Sequence, residues 1–157
     1  MVPLTYFHRK DLEINTETPI FLYGYGGYNI SIRPSFSRKY VGWLELGGVV
    51  AIANLRGGGE LGKKWHNAGR LKEKQNVFDD FLYASKYLEA NNIGNRKSTV
   101  ISGRSNGGLL VGTSLVQNPN YFGATLPAVG VLDMLRFTEF TEGWGWRGDY
   151  GLSLIHI

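Results

Sequence analysis

Val77, Phe81, Ala84 and Leu88 recur at helical spacing, which stacks them on one side of an α-helix, whereas Asp79, Asp80, Lys86 and Glu89 fall elsewhere. A helix is therefore predicted over 76–91, with Asn76 as its N-terminal cap. Further helices are predicted over 37–46 and 106–117. Short β-prone runs closed by turn residues predict strands at 4–8, 20–23, 49–54, 99–102 and 124–129. Strand and helix alternate, and glycine gathers in the loops between them. That order calls for an α/β fold with a mostly parallel sheet and helices on both faces. No repeat, low-complexity tract or linker interrupts it.

One loop carries recognisable chemistry. Gly103-Arg104-Ser105-Asn106-Gly107 matches G-x-S-x-G, with a β-prone run at 98–102 before it and an apolar helical run at 108–115 after it. The pattern alone also describes an ordinary glycine-rich turn; strand, sharp turn and helix in succession favour a nucleophile elbow. There the serine is strained with its hydroxyl above the sheet, and side chains two positions away would collide with the crossing backbone. The first turn of the following helix brings free N–H groups and a positive dipole end beside Ser105, where an oxyanion would form. In the hydrolase order an acid and then a histidine follow the serine. His156 is the only histidine after Ser105, and no such pair follows at a useful distance, so both partners are expected outside this chain.

Composition narrows the setting. A chain of 157 residues, 43% hydrophobic and 13% aromatic, suits one globular unit but is short for an α/β-hydrolase domain, so part of a domain is expected. A net charge of +4 with no basic run longer than a pair gives no basis for a nucleic-acid partner. No stretch is long and apolar enough to span a bilayer and no signal-peptide core follows Met1, so no membrane partner and a cytoplasmic location are expected. The absence of cysteine excludes a disulfide scaffold and thiolate metal sites. His8 and His66 lack metal-ligand spacing, and no metal or other cofactor is expected.

Two glycine clusters fail as nucleotide motifs. The one at 24–27 has Asn29 where a dinucleotide fingerprint needs glycine, and the one at 57–62 has Lys64 where a P-loop needs a hydroxyl. The second is expected to let the backbone pass close to a neighbouring site, with Arg56 and Glu60 as ion-pair partners. Asp79 and Asp80 read as surface at a helix start. The Arg147-Gly148-Asp149 tripeptide and the Asn29-Ile30-Ser31 acceptor sequence read as incidental.

Four blocks, at 21–31, 53–60, 105–111 and 129–135, closely resemble in sequence, order and spacing the catalytic domain of the prolyl oligopeptidase family. The resemblance runs from about Val2 to Gly151. It implies a partial α/β-hydrolase peptidase domain over 1–151. In that family a Ser-Asp-His triad does the chemistry, and a β-propeller preceding the domain admits only short peptides. By position, the resemblance makes Ser105 the nucleophile, the Asn106 backbone N–H one oxyanion donor and the Tyr25 hydroxyl the other. It makes Tyr28, Val131, Trp146 and Tyr150 the walls of a proline pocket. From their own residues Tyr25 reads as a packed aromatic and those four as core.

The implied activity is that of a serine-type endopeptidase cleaving short proline-containing peptides on the carboxyl side of proline through an acyl-enzyme. Two alternatives stand beside it: an oligopeptidase cutting after basic residues, and a catalytically inert truncated hydrolase acting only as a binding module. Tyr28 stands where phenylalanine is usual, adding a hydroxyl that needs a partner, and Arg104 where glycine is common. The last six residues, 152–157, equal the translation of a transposase sequencing adapter and are expected to be a non-native tail, which would remove His156 from consideration.

Overall fold

Alternation along the central strands divides the core in two. Ile20 and Leu22 of β2 (Ile20–Gly24) and Val49, Ala51 and Ala53 of β3 (Val49–Ala53) face one side of the sheet, while Phe21, Val50 and Ile52 face the other. Both strands are apolar throughout because both faces are covered. The computed structural model describes residues 1–152 and orders five strands β1-β3-β2-β4-β5, where β1 is Leu4–Phe7, β4 Thr99–Arg104 and β5 Ala124–Ala128. Every pairing is parallel except β1 with β3, where Leu4 lies opposite Ala53. The expected mostly parallel α/β sheet is thus present.

Its first face takes the predicted stripe Val77, Phe81, Ala84 and Leu88 of α3 (Gln75–Ala90) together with Leu110 and Val111 of α4 (Asn106–Gln117). The second takes Tyr40 of α1 (Arg38–Glu45), with Trp43 alongside. Each fully buried side chain of this kind contributes roughly 1.5–3 kcal/mol relative to exposure. Between β3 and α3 the chain forms a short helix, α2 (Lys63–Asn67), and a 3₁₀ turn at Leu71–Glu73. After β5 come 3₁₀ turns at Phe137–Glu139 and Gly143–Trp146 and a single helical turn, α5 (Arg147–Tyr150). None of these short elements has a periodic signature.

Several local expectations are corrected. Asn76 does not cap α3, which begins at Gln75; its amide instead donates to the Ala68 carbonyl at 3.0 Å and to Glu73 at 3.1 Å, because the chain doubles back through α2 just before it. β4 runs on to Arg104, since Gly103 and Arg104 pair with Pro127 and Ala128. Arg56 and Glu60 are not partners. The Arg56 guanidinium grips Asp80, with Nε to Oδ2 at 2.8 Å, while Glu60 accepts from the Ile32 amide at 2.9 Å and from Asn54 at 3.0 Å. Asp80 is therefore buried structure, 5% exposed, and only Asp79 keeps the surface role, receiving Gln75 at 2.9 Å.

No helix among the described residues is long and apolar enough to cross a membrane. Of the expected tail, residues 153–157 lie outside the described residues.

Candidate active site

Ser105 is the one residue between the end of β4 and the start of α4, and its backbone is left-handed, with φ 58° and ψ −117°. Side chains rarely tolerate that region, so the turn is strained and must be held from outside. Its N–H donates to the Ala128 carbonyl at 2.9 Å, and its carbonyl accepts from Gly108 at 2.8 Å and Leu109 at 3.1 Å. A methyl group on Gly103 would run into the Gly107 carbonyl, and one on Gly107 would lie 2.7 Å from the carbonyl oxygen of Gly24. The two glycines of the motif are required by backbone crossing backbone. Ser105 itself is exposed.

Two donors lie beside it. Asn106 is the first residue of α4, so its amide is among those a helix leaves without an internal partner, at the positive end of the dipole. Tyr25 follows β2 on the neighbouring loop. Burial, the largest influence, raises its phenol above the ordinary value, and a hydrogen bond shared with Ser105 acts in the opposite direction. A neutral phenol has one hydrogen to donate.

The side chain of Asn106 holds these parts together. It is 1% exposed; its Nδ2 donates to the Tyr25 carbonyl, and its Oδ1 accepts from Tyr150 Oη at 2.9 Å and Lys74 Nζ at 3.0 Å. Gly27 packs so tightly on that amide that a Cβ there would meet its carbon at 2.7 Å.

Tyr28, Val131, Trp146 and Tyr150 fall in one apolar cluster, joined by Leu109 and Phe137. The rings of Tyr28 and Tyr150 meet edge to face at 5.6 Å, and Phe137 meets Tyr150 likewise at 5.5 Å. The extra hydroxyl of Tyr28 lies beside that of Tyr150. Desolvation is the main cause that raises both phenols, which keeps them neutral.

Sequence reasoning missed three members of this neighbourhood. Asp149, part of the tripeptide read as incidental, is 3% exposed; its Oδ1 accepts from the Tyr28 amide at 3.1 Å and its Oδ2 lies 3.2 Å from Lys74 Nζ. Lys74 also donates to the Gly26 carbonyl at 3.1 Å. His66 places Nδ1 2.7 Å from the Gly57 carbonyl and Nε2 3.9 Å from Asp149. No spacing rule links 66, 74 and 149; only the α2 turn and the fold of 137–150 bring them together. The glycine loop after β3 does pass close to the site, as expected: Gly57, at φ 87°, presses against the Gly26 carbonyl, and its own carbonyl accepts from the Asn29 amide at 3.1 Å. A separate cavity of about 400 Å³, between Phe7, Ile32, Phe36 and Ile52, includes none of these residues.

The sequence profile of the Prolyl oligopeptidase family matches residues 34–151. The chain belongs to that family. It is 48% identical over 152 residues to the prolyl endopeptidase of Elizabethkingia meningoseptica, covering 97% of this chain and 22% of that protein. It is 45% identical over 154 residues to the prolyl endopeptidase of Dictyostelium discoideum, covering 97% and 20%. Among solved structures, prolyl oligopeptidase B from Galerina marginata superposes with a TM-score of 0.94 at 39% identity, over 98% of this chain and 22% of that one. A prolyl endopeptidase from a structural study of two such enzymes also gives 0.94, at 49% identity. The chain thus spans about a fifth of the length of these prolyl oligopeptidase relatives, and its sheet and helices match part of their structure.

Proposed function

We propose that Ser105 is the nucleophile of a serine endopeptidase that cleaves short peptides on the carboxyl side of proline. The observation that carries this reading is the strained Ser105 turn with the Tyr25 hydroxyl beside it and an aromatic cluster tied to Asn106 through Tyr150. Ser105 Oγ attacks the carbonyl carbon of the proline residue while a general base takes its proton. The carbonyl oxygen becomes an oxyanion that accepts hydrogen bonds from the Asn106 N–H and the Tyr25 hydroxyl. Collapse expels the amine, which takes the proton, and leaves an acyl-enzyme; water then repeats the sequence to release the acid.

In this reading the base and its acid partner lie outside the described residues. His66 does not fill that role, since its ring nitrogens face Gly57 and Asp149.

Proline is favoured over a basic residue by the pocket's charge. Asp149 is a buried acid beside the cluster, and it is turned to Lys74 and to the Tyr28 amide, which leaves it unavailable to a cationic side chain. Tyr28, Val131, Trp146 and Tyr150 would instead enclose a flat apolar ring. The cysteine-free sequence is compatible with work in the cytosol.

The test is hydrolysis of paired Gly-Pro and Gly-Arg amide reporters by the full-length protein and its Ser105→Ala variant. Cleavage of the proline reporter that vanishes in the variant is expected. Preference for the arginine reporter would replace the substrate reading, and a silent wild type would leave the binding-module alternative.

A further inference from the structure

We infer that Lys74 is a positioning residue for hydrolysis: its ammonium fastens the Tyr25 loop, the head of α4 and the Tyr150 segment in one fixed arrangement. The inference rests on the peptidase reading of Ser105. An ammonium has three donors, and Lys74 directs them to the Gly26 carbonyl at 3.1 Å, Asn106 Oδ1 at 3.0 Å and Asp149 Oδ2 at 3.2 Å. These acceptors lie 48, 32 and 75 positions away in sequence, on three separate segments. Each adjoins a group with a proposed task. Gly26 follows Tyr25, Asn106 supplies the backbone donor, and Asp149 precedes Tyr150 while accepting the Tyr28 amide.

The side chain is only 12% exposed, and its charge lies 5.3 Å from the centre of the Tyr150 ring. Burial lowers the ammonium's proton affinity, with Asp149 opposing the effect. A buried ion pair is often no more stabilising than an apolar replacement of similar volume. Stability therefore gives little reason for a lysine here. What an apolar side chain cannot do is fix three oxygens on three segments at hydrogen-bond distance. His66 is no substitute, because its 3.9 Å separation from Asp149 is beyond a hydrogen bond.

The test uses the full-length enzyme and Lys74→Met, which keeps the stem and removes the donors. Steady-state kinetics on the Gly-Pro reporter are compared for wild type, K74M, Tyr25→Phe and the double variant, with amide exchange of Tyr28 followed in wild type and K74M. Loss of an oxyanion donor lowers kcat by about 10²–10³. K74M is expected to lower kcat at least about tenfold, and the same substitution to lower it less than about threefold in the Y25F background, because groups acting as one unit are not additive. Exchange at Tyr28 is expected to quicken. A K74M kcat within about twofold of wild type, or losses that multiply in the double variant, would overturn the positioning role. Unchanged exchange at Tyr28 would overturn the tether itself. Should wild type leave the reporter intact, the peptidase reading falls, and exchange alone decides the tether. If K74M does not fold, K74M/D149N removes both charges, retains an acceptor for Tyr28, and is read in the same way.

Discussion

Tyr150 donates its hydroxyl hydrogen to Oδ1 of Asn106 at 2.9 Å, tying a residue proposed to wall the pocket to the residue next to Ser105. The proposed pocket wall and the proposed oxyanion donor are thereby joined by a hydrogen bond. Tyr150→Phe keeps the ring and its edge-to-face packing on Tyr28 and Phe137 but deletes this link and the hydroxyl beside that of Tyr28. Lys74 still serves the same oxygen, so the stability loss should be about 1 kcal/mol, read by chemical denaturation. The proline-reporter kcat/KM should fall about tenfold, since 1.4 kcal/mol of lost transition-state interaction gives that factor. An unchanged kcat/KM would detach Asn106's placement from Tyr150.

Tyr25→Phe removes one proposed oxyanion donor and leaves the ring. kcat should drop by about 10²–10³ with little change in KM, because the interaction is made in the transition state. A loss confined to KM would reassign Tyr25 to substrate binding.

Gly107→Ala places a methyl group 2.7 Å from the Gly24 carbonyl oxygen, with no flexible side chain to yield. We expect a destabilisation of about 1–3 kcal/mol and loss of reporter cleavage, because the serine turn must move. Melting temperature and labelling of Ser105 by a fluorophosphonate read the two effects separately. A variant that labels at the wild-type rate would show that the turn tolerates displacement.

Much of this architecture was legible beforehand, and the reasons differ by element. The α3 stripe of Val77, Phe81, Ala84 and Leu88 is periodic and packs as its spacing requires. The Ser105 turn was readable because it forces the residues two positions to either side to be glycine. Asp80 was misread because an aspartate early in a helix fits a solvated start equally well, and its partner Arg56 lies 24 positions earlier in a loop. Lys74 and Asp149 left no local trace, since their meaning is entirely in what the fold brings opposite them.

Asp80→Ala strips the Arg56 side chain of its bidentate partner and the Arg56 amide of its acceptor at 3.1 Å. Loss of a partner from a buried pair costs about 3–5 kcal/mol, and partial exposure of Arg56, at 30%, reduces this to roughly 2 kcal/mol. Denaturant midpoints check the figure; a shift under about 0.5 kcal/mol, the scale of an ordinary surface substitution, would mean the pair is mostly solvated.

Alkaline stability follows from the two pocket phenols. Burial raises Tyr28 and Tyr150 in the folded state, while unfolded tyrosine titrates near 10. The contribution is complete below that value; above it the unfolded chain binds fewer protons than the folded one, and stability falls as pH rises. Melting temperature should therefore decline from about pH 10 upward, with a shallower decline in Tyr28→Phe. Parallel curves for the two proteins would show that Tyr28 does not drive the loss.

The bond from the Tyr28 amide to Asp149 closes 121 positions of chain, whereas β2 and β4 can pair with no part of the chain beyond Arg104. Loop closure grows dearer with length, so contacts between distant positions form late. During synthesis the sheet can begin to pair first, and the serine turn can be held once Ala128 has been made, before the 137–150 segment has emerged. The serine turn and the segment beside it thus arrive at different times, and a chain caught between them would hold the turn with nothing yet to choose a substrate.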